Sequence, residues 1–248
     1  MVEPMFTRTF DQPVQVGSVV DLTGPEAKHA VSVRRMRVGE AIQLTDKAGL
    51  RVRGLVDSIV GNNLHVRVSS VEKEPAPQIQ ITLIQALAKG DRDELAVQAA
   101  TELGVVGVIP WEADRSVSRW IGLKEAKSVE RWQSIVTEAA KQSLSAWHPV
   151  VSSPIKGVQV ADLVKDFDLV LVLDPTAAKG IGVQNMPKVG KIALVVGPEG
   201  GISETELVAL EQAGAVRVHL GVPILRTSTA GIAAISGIFA LTGQWGSK

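Results

Sequence analysis

The sequence predicts two domains, a small β-rich domain followed by an α/β domain with a mainly parallel sheet. From Ile79 onward, continuous apolar runs alternate with helical segments, which is the pattern of parallel strands covered on both faces. Before residue 73, apolar and polar residues alternate along short segments, as in strands with one buried face. Between these regions, Pro75 and Pro77 stand in a polar stretch that disfavours both helix and central strand. We therefore assign residues 1–73 and 79–248 to the two domains and residues 74–78 to a linker.

The first domain contains a predicted β-hairpin and one helix. The hairpin turns at Gly61-Asn62-Asn63, and the alternation along its arms predicts one apolar face and one face with several cationic groups. The helix is expected to begin at Thr23, with Glu26 as its capping-box partner, and to end near Gly39. Its second half is basic, which suits either a solvated helix end or a surface that binds an anion.

The α/β domain is predicted to contain five strands and four helices. The strands are expected at residues 79–84, 105–109, 169–173, 192–196 and 216–220. The helices are expected at residues 91–103, 124–146 and 203–213, with a last one from about Thr227. Gly104 should end the first of these helices, and Ser203 and Glu206 have the spacing of a capping box at the start of the third.

Composition removes several classes of function. Twenty-six basic and 26 acidic residues cancel, so a nucleic-acid partner would have to be held by a local patch. The absence of cysteine excludes disulfides, zinc sites with cysteine ligands, iron–sulfur clusters and a thiolate nucleophile. With only four histidines in the sequence, we expect no metal site. No apolar run approaches the ~18 residues of a membrane span, and we expect a soluble cytoplasmic protein with no membrane partner.

Two loops at the carboxyl ends of predicted strands carry unusual chemistry. The loop after Val196 reads Gly-Pro-Glu-Gly-Gly-Ile, and its glycines allow the backbone to approach a ligand closely. It matches neither the dinucleotide-binding motif nor the nucleoside triphosphate loop. The loop after Leu220 places Arg226 before three hydroxyl residues, an environment suited to a guanidinium near an oxygen-rich substrate. The following helix is small and apolar all round, which predicts burial in its own core or against a second subunit.

Taken in order, the two loops resemble the signature segments of the SPOUT class of bacterial RNA methyltransferases, and most closely the ribosomal RNA small subunit methyltransferase E family. The matching segments are Val196-Gly197-Pro198-Glu199-Gly200-Gly201 and Leu220-Gly221-x-x-Ile224-Leu225-Arg226-Thr227-x-Thr229-Ala230. The resemblance extends through Lys89-Gly90, residues 101–104, Arg131-Trp132, residues 138–143, His29 and residues 34–39. It departs from the family pattern at Leu144-Ser145 and at Val222-Pro223.

This resemblance implies both a fold and an activity. The implied fold is a PUA-like β-barrel followed by an α/β domain with a C-terminal trefoil knot, and the implied assembly is a homodimer. S-adenosylmethionine would be the methyl donor, and the reaction would be methylation of N3 of a uridine in 16S rRNA, within the small ribosomal subunit. The lack of cysteine agrees with transfer to nitrogen or oxygen, because methylation of uridine at carbon 5 commonly uses a cysteine adduct.

The resemblance also implies the site residues. The donor would contact Leu173, Gly197, Pro198, Glu199, Gly200, Gly201, Leu220, Gly221, Ile224, Leu225 and Thr227. Arg226 would stabilise charge on a carbonyl oxygen of the uracil. Glu199, or a water that it orients, would receive the imide proton, unless Glu199 binds backbone amides or fixes the turn instead. RNA would be bound by Arg34, Arg35, Arg37, Arg51, Arg53, Arg67 and Lys89.

Three alternatives stay open at this point. A related knotted enzyme could methylate a ribose 2′-hydroxyl or a tRNA base. A non-catalytic RNA-binding or assembly factor could keep the same fold without the reaction. A nucleotide-dependent α/β enzyme is the least favoured, because both of its motifs are missing from the sequence.

Overall fold

The computed structural model describes residues 3–246, which form two compact units. The first unit combines the chain up to Ala76 with Ala140–His148. The second unit combines Pro77–Ala139 with the chain from Pro149 onward. Residues 140–148 therefore pack with a unit that is otherwise N-terminal in sequence, and the sequence-based limits of 1–73 and 79–248 stay a prediction.

The first unit is built on a five-stranded sheet. Its strands are β1 (Met5–Thr7), β2 (Val19–Leu22), β3 (Ala41–Thr45), β4 (Leu50–Val60) and β5 (Asn63–Lys73). They lie in the order β1-β3-β4-β5-β2, with β1 parallel to β3 and the other pairs antiparallel. The β4–β5 hairpin confirms the predicted turn, and its residues Val52, Val56, Leu64 and Val66 are buried in the core of this unit.

The helix of the first unit differs from the prediction. Helix α1 covers only Gly24–Lys28 and continues into a π-helical turn at His29–Val33, and Thr23 forms no side-chain cap. The predicted capping box is wrong because the carboxylate of Glu26 has distant partners. It accepts a hydrogen bond from the backbone N–H of Thr7 at 2.9 Å and pairs with Lys141 at 3.0 Å.

The second unit contains a seven-stranded sheet in which every pair is parallel. Its strands are β6 (Ile79–Ala86), β7 (Gly107–Glu112), β8 (Val150–Val151), β9 (Ile155–Lys156), β10 (Leu169–Leu173), β11 (Gly190–Val196) and β12 (Val216–Val218). The order along the sheet is β12-β10-β11-β6-β7-β8, and β9 also pairs with β7. The three central strands β10, β11 and β6 agree with the predicted segments to within two residues at each end.

Four helices connect these strands: α2 (Arg92–Leu103), α3 (Leu123–Gln142), α4 (Glu204–Gln212) and α5 (Thr227–Thr242). Alternate residues of the central strands enter two apolar cores, one around Leu83 and Ile235 and the other around Val195 and Leu210. The parallel sheet covered on both faces confirms the predicted α/β class. Helix α3 ends four residues before the predicted Ala146. Within residues 3–246, no helix is both long and apolar enough to cross a bilayer.

Candidate active site

A cavity of about 720 Å³ lies at the carboxyl ends of β10, β11 and β12 in the second unit. Its volume lies in the range of small-molecule and cofactor sites. Parallel strands bring their following loops together at this edge, so the turn after β11 and the loop after β12 both line the cavity. The lining includes all the residues implied as donor contacts, namely Leu173, Gly197, Pro198, Glu199, Gly200, Gly201, Leu220, Gly221, Ile224, Leu225 and Thr227. Their contact with a donor stays a prediction.

The hydroxyl of Thr227 ties the two loops to the central strand β6. It accepts a hydrogen bond from the side-chain amide of Gln85, the penultimate residue of β6, at 2.9 Å. It donates one to the carbonyl oxygen of Gly197, also at 2.9 Å. Gln85 is fully buried and Thr227 is 6% exposed. A hydrogen-bonded network of this kind is costly to break when it is buried, so one hydroxyl fixes the relation between the two loops.

The three glycines of the turn from Gly197 to Gly201 stand where a side chain would crowd its neighbours or strain the backbone. A Cβ on Gly197 would lie 2.7 Å from Cγ1 of Ile202, and a Cβ on Gly200 would lie 3.2 Å from Cβ of Arg115. Gly201 adopts a φ of +73°, which L side chains rarely adopt. The glycines therefore allow this backbone to form a wall of the cavity.

The loop after β7 braces the turn, a contact that the sequence analysis missed. The guanidinium of Arg115 donates a hydrogen bond to the carbonyl oxygen of Gly200 at 3.2 Å. On the same loop, Asp114 accepts a hydrogen bond from the hydroxyl of Ser203 at 2.8 Å and donates one from its backbone N–H to Glu206 at 2.7 Å. Glu206 is fully buried and also accepts from the backbone N–H of Ser203, which confirms the predicted capping box of α4.

Glu199 projects from this turn as an ion-paired carboxylate. It accepts hydrogen bonds from Nη1 of Arg92 at 3.0 Å and from the backbone N–H of Lys89 at 3.2 Å. Burial raises the pKa of Glu199, but hydrogen bonds from its own backbone N–H, from Arg92 and from Lys89 outweigh burial and lower the pKa below its ordinary value. A carboxylate with a lowered pKa is a weak proton acceptor. The geometry therefore favours a role for Glu199 in fixing the turn over a role as proton acceptor.

Arg226 presents an unpaired guanidinium at the wall of the cavity. Its backbone caps the start of α5, and its carbonyl oxygen accepts hydrogen bonds from the backbone N–H groups of Thr229 and Ala230. The side chain is exposed and makes no hydrogen bond or ion pair with any residue from 3 to 246. Its N–H donors are therefore available to a ligand.

Three further cavity residues, Asp174, Arg217 and His219, escaped the sequence analysis. Asp174 accepts hydrogen bonds from Nε of Arg217 at 2.8 Å and from the backbone N–H of Thr176 at 2.9 Å. Burial raises the pKa of Asp174, but the bonds from Thr176 and Arg217 lower it overall. Nδ1 of His219 accepts from the backbone N–H of Gly221 at 3.0 Å, so the neutral ring carries its proton on Nε2. Arg217 lies within β12 and His219 follows it directly, and this strand of only three residues is too short for a periodic signal.

The predicted RNA-binding residues divide into two groups. Arg51 is 8% exposed, and its guanidinium bonds to Glu74, Gln43 and the carbonyl oxygen of Leu144. Three donors of Arg51 are therefore engaged inside the first unit, and its contact with RNA stays a prediction. The exposed members of the set are Arg34, Arg35, Arg37, Arg53, Arg67 and Lys89, of which Arg67 pairs with Asp57.

Comparison with known proteins decides the family. A family model described as an RNA methyltransferase domain matches residues 74–238, and one described as an RNA methyltransferase PUA domain matches residues 22–69. Ribosomal RNA small subunit methyltransferase E of Mycobacterium bovis is 40% identical over 233 residues, which cover 92% of this chain and 89% of that protein. The chain belongs to the ribosomal RNA small subunit methyltransferase E family. The Bacillus subtilis member is 32% identical over 241 residues, which cover 94% of each chain.

Solved structures of methyltransferases have the same fold. Ribosomal RNA small subunit methyltransferase E of Neisseria gonorrhoeae, crystallised with S-adenosylmethionine, has a TM-score of 0.85 and 30% identity, with 97% of this chain and 98% of that chain covered. A methyltransferase of Legionella pneumophila with the same bound cofactor has a TM-score of 0.85 and 27% identity, at the same coverage. These matches confirm the family and the fold class of a PUA-like domain followed by a methyltransferase domain, whereas the trefoil knot stays a prediction.

Proposed function

We propose that this protein transfers a methyl group from S-adenosylmethionine to N3 of a uridine in 16S rRNA. One observation carries the proposal: the two signature loops of the methyltransferase E family meet in a single cavity, beside the unpaired guanidinium of Arg226. Membership of the family supports ribosomal RNA of the small subunit as the substrate. The uridine and its N3 position rest on the resemblance of the loops.

The cavity has the chemistry that S-adenosylmethionine requires. Apolar side chains such as Leu173, Leu220 and Ile224 line it together with the backbone of the glycine turn, a combination that suits the flat face and polar edge of an adenine. The glycines allow the turn to pack closely against Ile202 and Arg115 while its backbone lines the cavity. We propose that the eleven residues named as donor contacts hold the cofactor here. When bound, S-adenosylmethionine supplies an electrophilic methyl group on a sulfonium.

The residues of the chain then position the uridine and stabilise its charge. Arg226 donates hydrogen bonds to a carbonyl oxygen of the uracil, where negative charge develops as N3 loses its proton to a water molecule. Thr227 and Glu199 hold the loops on either side, so the donor and the base meet in one geometry. We assign Glu199 to fixing the turn rather than to proton removal, because hydrogen bonds hold its pKa low.

Arg226 provides the test of this mechanism. Arg226→Ala should lower the single-turnover methylation rate of 16S rRNA by about 10²–10³-fold, the usual effect of removing one donor to a developing oxyanion. Arg226→Lys, which keeps the charge without the planar fork, should recover only part of the rate. The affinity for S-adenosylmethionine, measured by calorimetry, should change by less than about threefold. A near-normal rate in Arg226→Ala would refute the assigned role.

Mapping N3-methyluridine in 16S rRNA tests the reaction itself. The modification should be absent from a deletion strain and return on complementation with the wild-type gene. A 2′-O-methyl mark or a tRNA mark that follows the gene instead would favour a related activity. Calorimetry that detects no binding of S-adenosylmethionine would favour a non-catalytic RNA-binding factor.

We further propose that the protein works as a homodimer in the cytoplasm, with the C-terminal segment knotted. Helix α5 buries one side, including Ile235 and Ile238, whereas Leu241 is 50% exposed and Trp245 is 59% exposed. Ile224 at the cavity is 79% exposed. Exposed apolar side chains of this kind fit a second copy of the chain. Light scattering during gel filtration should give twice the chain mass of 26.3 kDa, and a mass of one chain would refute the dimer.

A further inference from the structure

A second cavity, of about 450 Å³, lies in the same unit beside the donor cavity. Two chain segments line both cavities. In the segment 88–94, Arg92 faces the donor cavity and Lys89 faces the second cavity. In the loop 113–120, Arg115 faces the donor cavity and Ser118 faces the second cavity. The two cavities therefore share walls.

The second cavity is polar and offers free cations. Its lining includes Lys89, Lys124 and Arg131, together with the hydroxyls of Ser118 and Ser128. Lys89 and Lys124 are exposed, and neither side chain makes a hydrogen bond or ion pair within the described part of the chain. Two ammonium groups and two hydroxyls are donors suited to a phosphate and a ribose.

The carboxylates of this cavity are largely engaged. Glu94 forms two hydrogen bonds with the guanidinium of Arg131. Asp93 is 5% exposed and accepts hydrogen bonds from the backbone N–H groups of Ala88 and Glu94, so it organises the start of α2. Asp91 is the remaining carboxylate among the lining residues that the structure describes, and it is exposed. The lysines therefore outnumber the carboxylates that are free to oppose them.

Two packed tryptophans form the floor of the second cavity. Trp120 and Trp132 are both buried and pack edge to face, with ring centroids 5.0 Å apart and an interplanar angle of 83°. Such aromatic pairs stabilise each other beyond the area they bury. The lysines and serines thus surround a packed aromatic pair that closes the bottom of the cavity.

We propose that the second cavity binds the nucleotide next to the target uridine along the RNA strand. This inference rests on the proposed function, because it needs a target base in the donor cavity. Lys89 and Lys124 contact the phosphate, and Ser118 and Ser128 contact the ribose. A strand whose target base lies beside the methyl donor carries its neighbouring nucleotide across the shared wall. The backbone N–H of Lys89, bonded to Glu199, then connects the RNA subsite with the donor turn.

The double variant Lys89→Gln/Lys124→Gln tests the subsite. It should raise the KM for 16S rRNA by about tenfold and lower the slope of log affinity against log salt by about one, because one phosphate contact is lost. The effect should fall on KM rather than on kcat, with the affinity for S-adenosylmethionine within about twofold of wild type. Lys165→Gln is the matched control, since Lys165 is exposed and lines a separate depression with Gln80 near the amino end of β6.

Photo-crosslinking supplies a second measurement that does not need turnover. RNA with 4-thiouridine beside the target position should crosslink to peptides covering residues 88–94 or 117–132, and the double variant should lose these crosslinks. A wild-type KM and salt slope in the double variant, or crosslinks confined to the first unit, would overturn the subsite and leave the proposed reaction standing. Crosslinks at these peptides without any methylation by the wild-type protein would support the subsite and overturn the proposed reaction.

Discussion

Replacing Thr227 by valine should weaken both the fold and the donor site. Valine has nearly the shape of threonine but lacks the hydroxyl, so Gly197 loses the donor to its carbonyl oxygen and Gln85 loses one acceptor. The Gln85 amide keeps a hydrogen bond to the carbonyl oxygen of Ala86, but its Oε1 has no partner among the described residues. Each buried polar group left without its partner costs about 1–3 kcal/mol. With two such groups, we expect the free energy of unfolding to fall by about 2–6 kcal/mol.

Urea unfolding followed by circular dichroism measures this loss, and calorimetry with S-adenosylmethionine measures its effect on the site. The turn can shift when the Gly197 carbonyl oxygen loses its hydrogen bond. The affinity of Thr227→Val for the donor should therefore fall by about tenfold, which is ~1.4 kcal/mol of binding free energy. Thr227→Ser is the matched control, because it keeps the hydroxyl and removes only a methyl group. It should lose less than about 1.5 kcal/mol of stability and little affinity.

The comparison between the two variants decides the outcome. If Thr227→Val and Thr227→Ser unfold at the same urea concentration and bind the donor equally, then the hydroxyl of Thr227 does not fix the loops. A larger loss in Thr227→Ser than in Thr227→Val would assign the effect to packing of the methyl group, because valine keeps that methyl group and serine lacks it.

Two further predictions concern other residues. Burial and the charge of Lys47 lower the pKa of His148 from 6.5 to about 4. As the pH falls, the histidine therefore binds a proton in the unfolded chain before it does so in the folded protein. The free energy of unfolding falls accordingly between about pH 6.5 and 4. At pH 5 the loss is about 2 kcal/mol. Urea unfolding at pH 7 and pH 5 should show this loss in the wild-type protein and not in His148→Leu. Equal pH dependence in both proteins would refute the prediction. Arg115→Gln should weaken donor binding about three- to tenfold in calorimetry by loosening Gly200, whereas Arg115→Lys should recover part of the affinity, and an unchanged affinity in Arg115→Gln would contradict the bracing role.

The strongest sequence signals were those whose cause is local. The apolar runs at β10 and β11 marked buried parallel strands, because a strand covered on both faces has no polar alternation to obscure it. The capping box of Ser203 and Glu206 was predictable for the same reason, since its partners are three residues apart. The loops that line the donor cavity could be placed together because parallel strands end at one edge.

The features that the sequence did not reveal depend on distant partners. Thr23 and Glu26 have the same local spacing as a capping box, yet Glu26 bonds to Lys141, which is 115 residues away. The brace of Arg115 on Gly200 joins residues 85 positions apart, and no local pattern marks it. Arg51 stands at a position that the strand alternation predicts to be exposed. Its guanidinium nevertheless donates a hydrogen bond to the carbonyl oxygen of Leu144, from a distant part of the sequence. In each case tertiary packing supplied the partner that decided the role of the side chain.

The two-segment composition of the first unit limits how the gene can be dissected. The hydroxyl of Thr45 bonds to the carbonyl oxygen of Ala146 at 3.1 Å, and the indole N–H of Trp147 bonds to the carbonyl oxygen of Pro75 at 3.1 Å. A fragment cut after residue 76 would lose these bonds and leave the guanidinium of Arg51 without its carbonyl acceptor. Expression of this module by itself therefore requires residues 140–148 to be grafted back, and chimaeras that exchange it between relatives must carry both stretches from the same parent.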